Sequence, residues 1–218
     1  MNTVRKYLFV PVPAIFYVFT TAPGLAHADQ AIIISAMFNG HVGSAAKFHN
    51  ITFLSGYLFA HFLPFGELAY RCNLVSAFFG ALTIVLFYFL ALRLTKSVLL
   101  AVFSSVFLMI SHSMWWHSTI AEVYAVNGLF CVAILYCLVL FHETNRNRWL
   151  YLAALLAGLS IFNHVQMGMW LPALGVVLLM RRRSKDGSWG RLVVKTASWF
   201  LVGLLPYLAV FIKDAMSS

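Results

Sequence analysis

The stretch CNLVSAFFGALTIVLFYFLAL, Cys72–Leu92, runs for 21 residues without one charged side chain. About 20 such residues, wound as an α-helix, cross a hydrocarbon core of about 30 Å. Working outward, charged residues break the chain into further apolar runs at about 7–22, 97–113, 121–141, 149–162, 165–180 and 192–212. Together they predict an all-α, polytopic helical membrane protein with about seven transmembrane helices, residues 1–218 forming one transmembrane domain. The composition agrees. The chain is 62% hydrophobic and 10% charged, with a mean hydropathy of +0.86. A soluble domain carries about 45–50% apolar and about 25% charged residues. Disorder, a soluble fold and nucleic-acid binding are therefore excluded.

The formal net charge is +9, and its distribution explains it. With the N-terminus in the cytoplasm, Arg5, Lys6, Arg93, Lys96, Arg146, Arg148, Arg181, Arg182, Arg183, Lys185, Arg191 and Lys195 share that side. These are 12 of 15 Lys plus Arg, with Lys47, Arg71 and Lys213 opposite, as the positive-inside rule describes. The expected location is a bacterial inner membrane. Arg5 and Lys6, the following apolar run and the small residues Ala22, Ala26 and Ala28 imitate a secretory signal. The reading preferred here is an uncleaved first span, with Pro11 and Pro13 near its start, where a missing N–H matters least. Cys72, Cys131 and Cys137 have no metal-site spacing, so no zinc site or disulfide framework is expected. Lys185–Ser188 reads as a cytoplasmic turn.

Polar residues with chemical potential then collect on the outer side: Asp29, His41, His49, His61, Glu67, Arg71, His112, His117, Glu122, Asn163 and His164. The segment 23–70 forms a first outer loop, too apolar to be solvated, with interfacial helices at Ala31–Phe38 and Ile51–Phe65. Asp29 stands ahead of the first of these, where a carboxylate also suits a helix N-terminus. Glu122 lies at the mouth of the fourth span, near Asn127, and ionisable groups at membrane depth are costly and usually functional. It could equally be a helix-start carboxylate. Arg71 could pair with Glu67, Asp29 or Glu122, hold a lipid phosphate, or snorkel to the interface. Trp116 belongs to an outer stretch, His112–His117, that is either an aromatic belt or a sugar and lipid platform. Asn163 and His164 interrupt two apolar runs, so they cap a tight turn or face a ligand.

Three stretches resemble a known family: PFGELAYRCNLVSAFFGALT (Pro64–Thr83), WWHSTIAEVYAVNGLF (Trp115–Phe130) and GLSIFNHVQMGMWLPALG (Gly158–Gly175). In order and spacing they resemble the protein O-mannosyltransferase-like membrane proteins of the GT-C glycosyltransferase fold, once catalogued as a domain of unknown function. The vertebrate transmembrane O-mannosyltransferase is similar. The resemblance covers roughly residues 23–180, with 72–180 as the family-like core and 192–212 as the last span. It implies a non-cytoplasmic active site transferring a sugar, mannose above all, from a polyprenyl-phosphate donor to a protein or glycan hydroxyl. On that basis Asp29 would be the catalytic carboxylate that deprotonates or orients the acceptor. Arg71 and His164 would hold the donor phosphate, with Glu122 positioning that cation or the sugar, and Asn127, Asn163 and Trp116 would complete the binding surface. No metal is implied, and the donor is the one cofactor-like molecule.

The family's outer-loop acidic motif has a glutamate where this chain has Ile32. A second expectation therefore stands beside the first: a truncated, inactive GT-C-like scaffold or accessory subunit, packed against other membrane subunits in an energy-converting or pigment-binding assembly. Membrane lipid is a partner under either reading.

Overall fold

A computed structural model describes residues 7–26, 29–44, 49–182 and 189–217. The turn at Lys185–Ser188, and Arg5, Lys6, Ala28, Lys47 and Arg183, lie outside the described residues. The described chain is helical, with no strand in it. It divides into two compact units, residues 1–41 with 51–132 and residues 42–50 with 133–218.

The first unit is built on α4, Leu68–Thr95. This 28-residue helix contains the whole uncharged stretch and ends where Lys96 turns left-handed (φ 56°) and donates its N–H to the Leu92 carbonyl. Arg93 and Lys96 place positive charge at the negative end of the helix dipole. Around α4 pack α1 (Pro11–Thr20), α2 (Gln30–Asn39), α5 (Val98–Ile110) and α6 (His112–Thr119). The core between them holds Tyr17, Ala77, Ala81, Ile84, Tyr88 and Ala101. Tyr17 is fully buried and its hydroxyl donates to the Met109 carbonyl, 3.0 Å away. Gly80 lets α6 approach closely, because a Cβ there would run into the Ser118 side chain. The interfacial helices expected at Ala31–Phe38 and Ile51–Phe65 are helices, α2 and α3 (Asn50–Phe62).

Next come α7 (Tyr124–Thr144), α8 (Asn147–Asn163), a short 3-10 helix (Val165–Met169), α9 (Trp170–Arg182) and α10 (Trp189–Ser217). In the second unit α8 packs chiefly on α10. Gly158 and Gly203 face each other across that contact: a Cβ on Gly158 would meet the Phe200 carbonyl oxygen, and one on Gly203 the Leu155 carbonyl. Small residues that bring backbones together are the usual glue of membrane helices, which have no hydrophobic drive to associate in lipid. Ile134, Cys137, Leu150, Ala153, Ala154 and Ala157 form the core beside this crossing.

Seven spans were expected, and the helices differ in length from that pattern. Among the described residues α4, α7 and α10 are long and apolar enough to cross a membrane, and α5 with α6 would add a fourth if the bent pair is one span. That pair bends by 63°. Ser111 leaves the helical region there (φ −57°, ψ 140°) and its hydroxyl takes the Leu108 carbonyl at 2.7 Å, the competition for backbone that disfavours serine inside helices. The fourth apolar run, read as a helix from residue 121, becomes helical only at Tyr124. α1, with 10 residues, and α8, with 17, reach only about 15 and 26 Å at 1.5 Å per residue.

Candidate functional site

The N-terminal end of α4 gathers the first polar cluster around a residue buried in an apolar helix. Asn73 is completely buried. Its Oδ1 accepts from the Gln30 side-chain amide at 2.5 Å and from the Ala121 N–H at 2.8 Å. Its Nδ2 donates to the carbonyls of Ala22 and Gly24, at 2.8 and 3.1 Å. One turn further on, the Ser76 hydroxyl donates to the Glu122 carbonyl (3.1 Å) and accepts the Glu122 N–H (3.0 Å). Gln30 Oε1 in turn accepts the Ala26 N–H at 2.6 Å. Six non-helical backbone carbonyls and amides that lipid could not satisfy are thereby paired.

This clamp brings the neighbourhoods of two expected carboxylates to one atom, since Gln30 follows Asp29 and Ala121 precedes Glu122. Asp29 itself is exposed at the N-cap position of α2. Its carbonyl accepts from Ile32 and Ile33, and its side chain makes no capping bond to the helix. Glu122 is half-buried in the link between α6 and α7, where its carboxylate accepts the Val123 N–H at 3.3 Å. Arg71 takes none of its expected carboxylate partners among the described residues. Its guanidinium donates to the Ala60 carbonyl (2.6 Å) and more weakly to that of Leu63 (3.3 Å). It thus caps the C-terminal carbonyls of α3, where a cation suits the helix dipole. Its Nε is buried without a hydrogen-bond partner. Asn127 lies half-buried on α7, and Trp116 lies half-buried on α6 with its ring over His112 at 6.2 Å.

An apolar groove of about 410 Å³ runs beside this cluster, walled by Val10 ahead of α1, Val18 of α1, Leu63 after α3, and Leu74, Phe78 and Val85 of α4. Arg71, Leu74, Phe78, Ala81 and Val85 follow one another at helical spacing, so Arg71 heads the stripe of α4 that lines the groove.

The second cluster lies in the other unit. His49 Nδ1 is 3.1 Å from the Asn163 carbonyl, and His164 Nδ1 accepts the Gln166 N–H at 3.2 Å. The two rings stand 4.9 Å apart, tilted by 37°. Asn163 is fully buried. Burial, then the neighbouring His164, pushes the His49 pKa below its ordinary value, although the Asn163 carbonyl opposes this. Burial lowers His164 as well. The loop before His49 is pinned by Asn50, whose amide exchanges two 3.0 Å bonds with the Gly43 backbone. Asp214 of α10 accepts the N–H and hydroxyl of Ser44, at 2.7 and 2.8 Å.

Asn73, Ser76, Gln30 and His49 were not singled out from sequence as site residues. An uncompensated asparagine inside an uncharged run was the available signal for the first. His49 needed the fold, because its partner lies 114 residues away. Among the described residues no group of three or more His, Cys, Asp or Glu side chains could hold a metal ion.

Comparison with known proteins adds kinship. Residues 49–187 match the family described as the protein O-mannosyl-transferase TMEM260 N-terminal domain. The chain is 26% identical to the mouse (Mus musculus) protein O-mannosyl-transferase TMEM260 over 214 residues, covering 96% of this chain and 30% of the mouse protein. The chain therefore spans less than a third of that relative's length. No solved structure matches it.

Proposed function

Because the chain belongs to the protein O-mannosyl-transferase TMEM260 N-terminal domain family, we propose that it is a membrane glycosyltransferase of the GT-C fold, or the donor-binding half of one. It moves a sugar, mannose by kinship, from a polyprenyl phosphate to a protein or glycan hydroxyl on the non-cytoplasmic face. The match over residues 49–187 carries this reading, because it contains the three stretches centred on Arg71, Glu122 and Asn163 with His164. The shorter helices α1, α8 and α9 complete the seven crossings by tilting or by local thinning of the bilayer.

The geometry supports a lipid-linked donor. Such a molecule joins an anionic head to an aliphatic tail, and Arg71 at the head of an apolar stripe offers both contacts. The guanidinium takes a phosphate oxygen and offsets charge on the leaving group. Asp29 orients the acceptor hydroxyl, and Glu122, held by Ser76, fixes the sugar. Asn127 and Trp116 flank the sugar, Trp116 offering a stacking face. In the second unit His164, with Asn163 before it, adds polar contacts.

The test is transfer in proteoliposomes that contain polyprenyl-phosphate mannose and a threonine peptide. Mannosylated peptide should form, and Arg71→Ala should lower the rate at least tenfold while raising the apparent KM for the donor. An inactive protein that retains no polyprenyl lipid and co-purifies with stoichiometric membrane subunits would instead establish the accessory role.

A further inference from the structure

Within the second unit, the last turns of α7 and α9 carry the same pattern of side chains. On α7, Leu138 and Phe141 are followed by His142 and Asn145, and on α9, Val177 and Met180 are followed by Arg181. Residues three and four apart share one face of a helix. The two faces enclose a pocket of about 500 Å³, inside the range of about 300–1,000 Å³ typical of small-molecule sites. Its floor is fixed, since Phe141 is buried and Leu138 and Val177 pack on the core of the unit. Its rim is polar. Asn145 is left-handed (φ 54°) and gives its N–H to the Phe141 carbonyl at 2.9 Å, which stops α7 and leaves the amide exposed at the rim.

The charge at this rim is positive. Among the described residues no carboxylate lines the pocket. Glu143 is exposed beside it, against Arg146, Arg148 and the half-buried Arg181. Arg148 lies over the Trp149 ring, 4.7 Å from its centre, and Arg181 is the cation that lines the pocket. A free phosphate would meet Arg181 but leave the apolar floor wet, and an uncharged chain would cover the floor but leave the cation unmatched. A molecule with an anionic head on an aliphatic chain meets both.

We infer that this pocket holds an anionic phospholipid, with its phosphate on the Arg181 guanidinium and one acyl chain against Leu138, Phe141, Val177 and Met180. His142 and Asn145 each offer an N–H to the headgroup. Arg146, Arg148 and Arg181 are among the cations that the positive-inside rule assigns to the cytoplasmic side, and basic pockets between membrane helices on that side hold anionic headgroups. The site lies wholly within the second unit and does not depend on the glycosyltransferase reading, because its test reads binding alone.

The experiment is native mass spectrometry of the full chain, delipidated in mild detergent and titrated with phosphatidylglycerol, with phosphatidylcholine of the same acyl chains, and with inorganic phosphate. The wild type should hold one phosphatidylglycerol at least fivefold more tightly than phosphatidylcholine. Arg181→Gln should weaken phosphatidylglycerol about fivefold, the worth of one cation near a lipid surface, and leave phosphatidylcholine unchanged. Lys195→Gln removes the same charge from an exposed position on α10 outside the pocket, and should stay within twofold of the wild type. Asn145→Gly keeps the left-handed turn at little cost and removes the amide, so it should weaken phosphatidylglycerol with the lipid-free melting temperature unchanged, which separates a lost contact from a lost fold. The inference is overturned if Arg181→Gln and Lys195→Gln lose affinity alike, if the two lipids bind alike, or if inorganic phosphate displaces phosphatidylglycerol as readily as more of the same lipid does.

Discussion

The polar clusters of the two units differ in what their atoms can still do. At the N-terminal end of α4, Asn73 gives its amide to four backbone and side-chain partners, and Ser76 exchanges both possible bonds with the Glu122 backbone. These groups do not titrate, and their bonding capacity is used in joining the segment between α1 and α2 to the link before α7. In the second unit His49 and His164 each bond backbone through Nδ1, and both rings can titrate. The first cluster is a clamp of groups that do not titrate, whereas the second brings two titratable rings together. A buried polar group in a membrane protein is therefore read by whether it titrates as well as by its burial.

The sharpest way to break this contrast is Asn73→Leu. It would leave the Gln30 amide, the Ala121 N–H and two carbonyls without their partner, at about 1–3 kcal/mol for each group that water cannot reach. The expected result is a loss of several kcal/mol, read as collapse of the thermal transition in detergent. His49→Gln should leave that transition nearly unchanged.

Gly158→Ala tests whether the second unit depends on its close helix crossing. The added methyl meets the Phe200 carbonyl, which is backbone and cannot rotate away, so a loss of about 1–3 kcal/mol is expected. Gly175→Ala, with nothing within 4 Å of its added Cβ, is the control and should be neutral or slightly stabilising. Ser76→Ala should cost about 1–2 kcal/mol, because a donor and an acceptor on Glu122 both lose a partner. If Gly175→Ala costs as much as Gly158→Ala, the second unit does not depend on that crossing.

The helical membrane class was legible because uncharged runs of 20 residues have no other economical reading. The helix α2 was legible from Ile33, Ala36 and Met37 at helical spacing, and Ala36 and Met37 are indeed buried on it. The break at Ser111 was not legible, since apolar content continues through it and only backbone dihedrals record the bend. Likewise Glu122 was placed inside a helix that begins two residues later, because hydropathy does not register where Ser76 holds the backbone straight. Arg71 was read as a cation that could pair with a carboxylate, hold a lipid phosphate or snorkel to the interface. The protein partners expected were carboxylates, whereas the bonds found go to carbonyls at the end of α3, a pairing that sequence spacing does not encode. His49 depended wholly on tertiary structure.

The smallest expected effect is on stability against pH. Burial lowers the folded pKa of His49 and of His164 below the ordinary 6.5, so the unfolded chain binds more protons between those folded values and 6.5. Their stabilising contribution is present above 6.5 and is lost as pH falls through the folded values. The melting temperature should drop between pH 7.5 and 5, and His49→Gln should show a shallower drop. An identical slope in both proteins would remove the His49 ring from the linkage.

The most direct measurement is the nitrogen-15 spectrum of imidazole-labelled protein in lipid nanodiscs at pH 7.5. With His49→Gln and His164→Gln used for assignment, His49 should carry its proton on Nδ1 and His164 on Nε2. Both rings in the same tautomer, or either one doubly protonated at that pH, would contradict the bonding and burial that set this pair of rings apart from the clamp.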